Sequence, residues 1–285
     1  MTSALAQRPH DAAWSRLINR SVAGRVRNTV SMTRRNLVHI SREPMQLSDV
    51  TIQPVLLTVL FIYLFGGAIP IPGGGNYTDF ILPGLLALNL TTSAMGTAVG
   101  LATDLHEGMI DRFRVLPMWR PAVLVGRSLA DLLTDCLCAL VVAVTGLAVG
   151  WRTSAGLLPI IGGFALVLFF AYSLSWVTAC VGLTSKSPES AASFGLIVLF
   201  PLAFVSNAMV PTQHMPGWLK AVADWNPVSA VTAAARQLWH NPNPSASINA
   251  WPMQHPIEAS LAWSALILAV AAPLASRYFR RRTTE

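Results

Sequence analysis

Lysine is nearly absent from this chain of 285 residues, which contains only Lys186 and Lys220. The phosphate-binding loop of P-loop nucleotide hydrolases, G-x-x-x-x-G-K-[ST], needs a lysine directly after its second glycine. Lys186 follows a serine and Lys220 follows a leucine. We therefore expect that this chain does not hydrolyse ATP by that route and carries no cofactor of its own.

Patterns of catalytic and metal-binding residues are also missing. There is no G-x-S-x-G nucleophile turn. His106 and Glu107 begin the zinc-protease pattern H-E-x-x-H, but Ile110 stands where the second histidine is needed. The three cysteines all lie in apolar runs: Cys136, Cys138 and Cys180. We expect small packing residues there, with no disulfide, no metal site and no enzymatic activity.

Charge is scarce, because only 12% of the residues are charged and 53% are hydrophobic. Soluble domains carry about 25% charged residues, so this composition indicates an integral membrane protein. The net charge of +7 is compatible with nucleic-acid binding only if the basic residues form a patch on a polar surface. They lie instead in short segments between long apolar runs, and we expect no nucleic-acid partner.

Six apolar windows reach the roughly 20 residues that a helix needs to cross a bilayer. They are Val50–Ile69, Phe80–Ala102, Ala122–Gly150, Gly156–Leu183, Ala191–Val210 and Ala259–Ala275. The prediction is an all-α integral membrane protein with six transmembrane helices. We divide it into a tail with an interfacial helix (1–49), a six-span domain (50–276) and a basic tail (277–285).

The basic residues predict the orientation of the spans. If the N-terminus is cytoplasmic, only Arg152, Lys220 and Arg236 of the 20 lysines and arginines fall on the outer side. Cytoplasmic loops are rich in basic residues, so this bias predicts that both termini are cytoplasmic in a multi-pass protein of the inner membrane.

Two segments outside the spans are expected to lie at the membrane surfaces. From Trp14 to Ile40, apolar residues alternate with arginines, which is typical of an amphipathic helix in the inner interface contacting lipid headgroups; a disordered basic tail is the alternative. The loop 211–258 contains Trp218, Trp225, Trp239 and Trp251. Because tryptophan prefers the membrane interface, we predict short re-entrant helices there in the outer leaflet.

The loop between the second and third spans, 104–121, mixes charged and apolar residues and includes Pro117. This pattern predicts a short amphipathic cytoplasmic helix that docks onto a soluble partner. A plain connecting loop is the alternative.

Three charged residues lie within the third window at a spacing of four: Arg127, Asp131 and Asp135. They share one helix face, and because charge in the membrane costs at least about 2.5 kcal/mol per residue, that face should contact protein or water. We expect an ion pair between Arg127 and Asp131. Asp135 is a candidate for a partner contact, a proton site or a polar lining. Gly96 with Gly100, and Gly146 with Gly150, are candidates for close helix packing.

Four stretches together resemble the ABC-2-type permeases, most closely the daunorubicin-resistance class of antibiotic and lipid exporters. They are Thr33–Phe65 with Arg34, Arg35, Pro44 and Pro54; Glu107, Gly108, Asp111, Arg112 and Pro117; Gly126–Asp131 with Gly150–Arg152; and Phe204–Leu238 with Ser206, Pro211, Met215, Pro216, Trp218, Leu219, Asn226, Pro227, Val228 and Arg236. His106 and Met109 depart from the pattern of the family.

The resemblance implies a pair of permease chains, identical or different, bound to two ATPase subunits that hold ATP and Mg²⁺, and a hydrophobic cargo. It assigns the ATPase contact to Glu107, Gly108, Asp111, Arg112, Phe113 and Pro117, and outer re-entrant helices to Pro216, Trp218, Asn226, Pro227 and Arg236. Asn89 and Asn207 become candidates for lining the pathway, with helix-to-helix hydrogen bonding as the alternative.

Two other functions compete with this interpretation. A proton-coupled secondary transporter would use Asp131 and Asp135 as proton carriers, although no inverted repeat is evident in the sequence. A membrane-embedded enzyme or an assembly scaffold is disfavoured by the missing catalytic pattern. The cargo itself leaves no specific polar pattern in the sequence.

Overall fold

The computed structural model describes residues 22–66, 71–72, 74–108 and 122–282. Within these ranges the chain is helical and forms no strand. In chain order the helices are α1 (Val22–Arg42), α2 (Pro44–Phe65), α3 (Tyr77–Ser93), α4 (Met95–His106), α5 (Ala122–Ala148), α6 (Leu157–Thr184), α7 (Pro188–Phe204), α8 (Gly217–Trp225), α9 (Pro227–Leu238), α10 (Trp251–Gln254) and α11 (Pro256–Arg282), with short 3₁₀ turns at Thr212–His214 and Pro244–Ser247.

Among the described residues, five helices are long and apolar enough to cross a membrane. They are α2, α3 together with α4 as one unit of 30 residues, α5, α6 and α11. The all-helical membrane architecture predicted from the sequence is confirmed to this extent. The fifth predicted window, 191–210, differs, because α7 has 17 residues and ends at Phe204. The φ and ψ of Val205, −84° and 62°, leave the helical region there.

Several helices begin or end at residues other than the ends of the predicted apolar windows. α2 starts at Pro44, before Val50, with proline in the first turn, where its fixed φ suits a helix and its missing N–H costs nothing. α11 continues beyond Ala275 to Arg282, so the predicted boundary at 276 falls inside a helix. α3 begins after Asn76, whose side chain accepts a hydrogen bond from the Thr78 N–H at 3.2 Å.

One end of the bundle, here called the arginine-rich end, brings together the end of α4, the start of α5, and the ends of α6 and α11. Leu101, Val123, Leu183 and Phe279 pack in one cluster there. The arginines of α1, Lys186 and the four arginines of 277–282 lie in segments that belong to this end.

The opposite end, here called the tryptophan-rich end, contains residues 71–72, 74–76, 149–156 and 205–255. The Trp151 indole donates to Asn241 Oδ1 at 3.2 Å. Thr153 Oγ1 donates to the Trp239 carbonyl at 2.6 Å. The rings of Trp151 and Trp239 meet edge to face with centroids 5.4 Å apart. α8, α9 and α10 therefore form a folded cap on the long helices rather than a free loop.

Part of the predicted amphipathic segment, Trp14–Ile40, is helical as α1, while residues 1–21 lie outside the described ranges. α1 packs on α5, where Met32 lies against Gly126. Val26 and Val30 on α1 are more than half exposed. The placement of this helix in the membrane interface stays a prediction.

Candidate functional site

A cavity of about 780 Å³ lies in the half of the bundle nearer the arginine-rich end. Its wall is formed by α1, the first half of α2, the end of α3, α4 and the first half of α5. The wall includes all three charged residues of α5 together with Asn89 and Glu107. The structure thus brings these five candidate site residues into one place, whereas Asn207 and the residues of the predicted outer motif lie elsewhere.

The first two charged residues of α5 form an ion pair on this wall. Arg127 Nε lies 3.2 Å from Asp131 Oδ1, and each side chain is 16% exposed. Arg127 Nη2 also donates to the Gly96 carbonyl at 2.9 Å. Thr97 Oγ1 donates to Asp131 Oδ2 at 2.6 Å. Both residues of the ion pair belong to α5, and each is also hydrogen-bonded to α4.

Asp135 is in a different position from Asp131. It is 6% exposed, and Ser93 Oγ donates to its Oδ1 at 2.7 Å. Within the described part of the chain, Asp135 forms no ion pair and accepts no other hydrogen bond. The Asp135 carboxylate can therefore accept further hydrogen bonds from a group in the cavity.

Ser93 and Thr97 are site residues that the sequence analysis missed. The two hydroxyl residues are four residues apart, and so are Asp131 and Asp135. Ser93 contacts Asp135 and Thr97 contacts Asp131, so the order of the hydroxyls along the chain is opposite to that of the carboxylates they contact. The sequence contained one indication of these contacts, because the two hydroxyl residues and the two aspartates have the same spacing of four residues. Their partners lie more than 30 residues further along the chain, however, so spacing alone did not identify the contacts.

A second ion pair lies on the same cavity wall. Arg35 Nη2 on α1 lies 3.1 Å from Asp104 Oδ2 on α4, with side chains 30% and 17% exposed. The Arg35 guanidinium also donates to Asn36 Oδ1 at 3.0 Å. This pair connects the N-terminal helix to the helix that leads into the 104–121 segment.

Only the beginning of the predicted coupling segment is described. Glu107 caps the C-terminus of α4, where its N–H donates to the Thr103 carbonyl at 2.9 Å. Gly108 has a φ of +66°, a conformation that glycine adopts without strain. The other predicted contacts with the ATPase lie outside the described residues: Asp111, Arg112, Phe113 and Pro117.

The two asparagines predicted to line a pathway lie far apart in the fold. Asn89 is on the cavity wall and its Nδ2 donates to the Leu85 carbonyl at 2.8 Å. Asn207 is buried at the tryptophan-rich end, where its Nδ2 donates to Ser245 Oγ at 2.8 Å. The structure does not bring them together.

The residues of the predicted outer motif begin and connect helices of the cap. Pro216 precedes α8, and Pro227 opens α9. Asn226 accepts a hydrogen bond from the Val228 N–H at 2.8 Å and donates to the Leu202 carbonyl at 2.7 Å. Trp218 on α8 is 72% exposed, and its contact with lipid stays a prediction.

Arg236, the last residue of that motif, is completely buried. Its Nε donates to the Phe80 carbonyl and its Nη2 to the Ala208 carbonyl, both at 3.0 Å. The side chain therefore serves as a structural link of the cap rather than as an exposed charge.

A comparison of sequences identifies relatives of the chain. The profile of the family described as ABC-2 type transporter matches residues 27–239. The chain is 35% identical to the daunorubicin resistance ABC transporter permease protein DrrB1 of Streptomyces coeruleorubidus over 242 residues, 85% of this chain and 82% of that protein.

Two proteins of Mycobacterium tuberculosis are more distant relatives. Identity is 26% over 260 residues with the probable doxorubicin resistance ABC transporter permease protein DrrC, covering 90% of each chain. It is 25% over 200 residues with the doxorubicin resistance ABC transporter permease protein DrrB, covering 70% of this chain and 69% of that one.

Proposed function

Because the chain belongs to the ABC-2 type transporter family, we propose that it is the membrane-spanning permease subunit of an exporter that moves a hydrophobic or amphiphilic compound across the cytoplasmic membrane. ATP is hydrolysed on a separate subunit, which holds the nucleotide and Mg²⁺. The family match over 27–239 is the observation that carries this proposal. The names of the relatives, which refer to daunorubicin and doxorubicin resistance, support an antibiotic as the cargo; a complex lipid is the other cargo that we propose.

We propose that α7 makes a sixth crossing, and the order of the helices supports it. The start of α7 packs at the arginine-rich end, where Ala191 contacts Ala98 and Ala102. Its end lies at the cap, where Asn226 donates to the Leu202 carbonyl. Seventeen helical residues span about 25 Å, slightly less than a typical hydrocarbon core of about 30 Å. In this arrangement both termini are cytoplasmic and α8–α10 lie in the outer leaflet.

The cavity supports a route that starts from the cytoplasmic side. The positive-inside bias supports a cytoplasmic location of the arginine-rich end, and with that orientation the cavity lies in the inner half of the membrane. Glu107 stands on its wall at the end of α4, directly before the rest of the 104–121 segment. A bound ATPase that moves that segment would also move α4. Because α4 contacts both the Arg35–Asp104 and the Arg127–Asp131 ion pairs, the movement would reach both pairs.

The proposed complex contains two permease chains and two ATPase subunits. We propose that residues 104–121 of each permease chain dock onto one ATPase. Closure of the ATPases on ATP would then shift the permease pair between states open to the inner and outer sides.

Co-purification with an ABC ATPase, followed by transport in proteoliposomes, tests the proposal. We expect ATP-dependent export that vanadate inhibits. Glu107→Ala combined with Asp111→Ala should release the ATPase, whereas Glu258→Ala, an exposed carboxylate at the opposite end, should leave it bound. Export that persists without any ATPase but collapses with the proton gradient would instead support a secondary transporter.

A further inference from the structure

The charge on the cavity wall is opposite to that of the chain. The whole chain has a net charge of +7. The described residues of the wall, however, include six carboxylates and three arginines. Two of the arginines are neutralised in the ion pairs with Asp104 and Asp131. An acidic interior in a basic membrane protein favours a cationic ligand.

The cavity wall contains buried polar groups with few hydrogen-bond partners in the described part of the protein. Asp135 and Asn89 are 6% and 7% exposed, and both stand on the wall. Within the described residues Asp135 accepts a hydrogen bond only from Ser93, and the Asn89 oxygen accepts none. A buried carboxylate without a cation is costly, so a ligand that supplies positive charge at this point gains a strong interaction.

The size and the remaining lining indicate more than a lone ion. A volume of about 780 Å³ lies within the range of about 300–1,000 Å³ that is usual for small-molecule sites. Val38, Val50, Met95 and Val99 add apolar surface to the wall. No group of three or more potential metal ligands occurs among the described residues.

We propose that this cavity binds an amphiphile with a compact cationic group, such as a protonated amine, which contacts the carboxylate of Asp135 beside Asn89 and Ser93. The apolar part of the amphiphile lies against the valine and methionine side chains. This proposal rests on the proposed export function and deepens it, because it names the chemical class of the cargo and its entry site in the inner half of the membrane.

The site can be tested by binding alone, without transport. Octylammonium and octyl sulfate are matched probes with the same chain and opposite charge. Binding of each radiolabelled probe is measured by scintillation proximity to the purified chain in phosphatidylcholine nanodiscs, with empty nanodiscs subtracted. We expect saturable octylammonium binding to the wild-type chain and none of octyl sulfate. Asp135→Asn should weaken octylammonium binding at least tenfold.

Asp224→Asn is the matched control. Asp224 is the other buried aspartate among the described residues. It also accepts from a hydroxyl, that of Thr212 at 3.1 Å, but it does not line the cavity. Octylammonium binding should be unchanged in this variant. Asp135→Glu keeps the charge and should retain binding, which separates loss of the carboxylate from misfolding of the Asp135→Asn variant.

Equal octylammonium affinity in wild type and Asp135→Asn, or equally tight binding of octyl sulfate, would overturn the site. Failure of the export proposal looks different. In that case octylammonium binds in an Asp135-dependent manner, but no ATPase co-purifies. Conversely, ATPase association without octylammonium binding leaves the exporter intact and removes the cationic site.

Discussion

The guanidinium carbon of Arg236 lies 3.8 Å from the centroid of the Phe80 ring, and its Nε donates to the carbonyl oxygen of the same residue at 3.0 Å. Nη2 holds the Ala208 carbonyl at 3.0 Å. One buried side chain thus joins α9 to α3 and to the segment after α7. Burial lowers the pKa of Arg236 to about 9, which still leaves the guanidinium charged at neutral pH.

Arg236→Ala should strongly destabilise the cap. The substitution leaves the buried carbonyls of Phe80 and Ala208 without these donors, and we expect a loss of about 2–4 kcal/mol. The thermal unfolding midpoint in detergent measures it. Arg34→Ala, on an exposed arginine of α1, is the control and should change stability by less than about 0.5 kcal/mol. Similar shifts in both variants would contradict a linking role for Arg236.

Gly100 and Gly96 should respond differently to alanine. A Cβ atom on Gly100 collides with the Arg127 guanidinium, whereas one on Gly96 meets no atom within 4 Å. Gly100→Ala therefore displaces Arg127 from Asp131 and from the Gly96 carbonyl, at a cost of about 1 kcal/mol. Gly96→Ala should be neutral or stabilising by up to about 1 kcal/mol, because alanine favours the helix. The thermal unfolding midpoints of the two variants measure the difference. Equal shifts in Gly100→Ala and Gly96→Ala would contradict the contact between Gly100 and Arg127.

The Arg35–Asp104 pair should show energetic coupling between α1 and α4. We expect about 0.5–1 kcal/mol in a double-mutant cycle of Arg35→Gln and Asp104→Asn, because both side chains are partly exposed to screening. A cycle that pairs Arg34→Gln with Asp104→Asn should be additive. Additivity in both cycles would show that the ion pair contributes nothing to stability.

The titration of Asp224 on α8 should make the stability of the protein depend on pH. Burial raises the pKa of this carboxyl, despite the Thr212 hydroxyl bond and nearby Lys220, which lower it. A folded-state pKa above the unfolded value means that the chain loses stability as pH rises through that interval. Asp224→Asn cannot ionise and should unfold at an equal or higher temperature than wild type at pH 7. The difference should shrink towards pH 4, and a difference that grows on acidification would contradict the assignment.

The sequence alone was sufficient for the membrane class and for most of the helices. Long apolar runs mark spans because a bilayer requires about 20 apolar residues per crossing, whatever the neighbouring helices are. Spacing was likewise enough to place Arg127, Asp131 and Asp135 on one face, since the periodicity of a helix is local. The end of α7 at Phe204 was not foreseen, because the apolar residues Val205 and Ala208–Val210 extend the window beyond it despite Ser206 and Asn207.

Tertiary structure alone decided which of the equivalent-looking residues share a site. Asn89 and Asn207 are both polar residues in apolar windows, yet only Asn89 stands on the cavity wall. Gly96 and Gly100 look like a matched pair, yet only Gly100 lies against Arg127. Arg35 and Asp104 are separated by 69 residues. Such contacts depend on how helices rotate and approach in three dimensions, and the period of a single helix does not encode that arrangement.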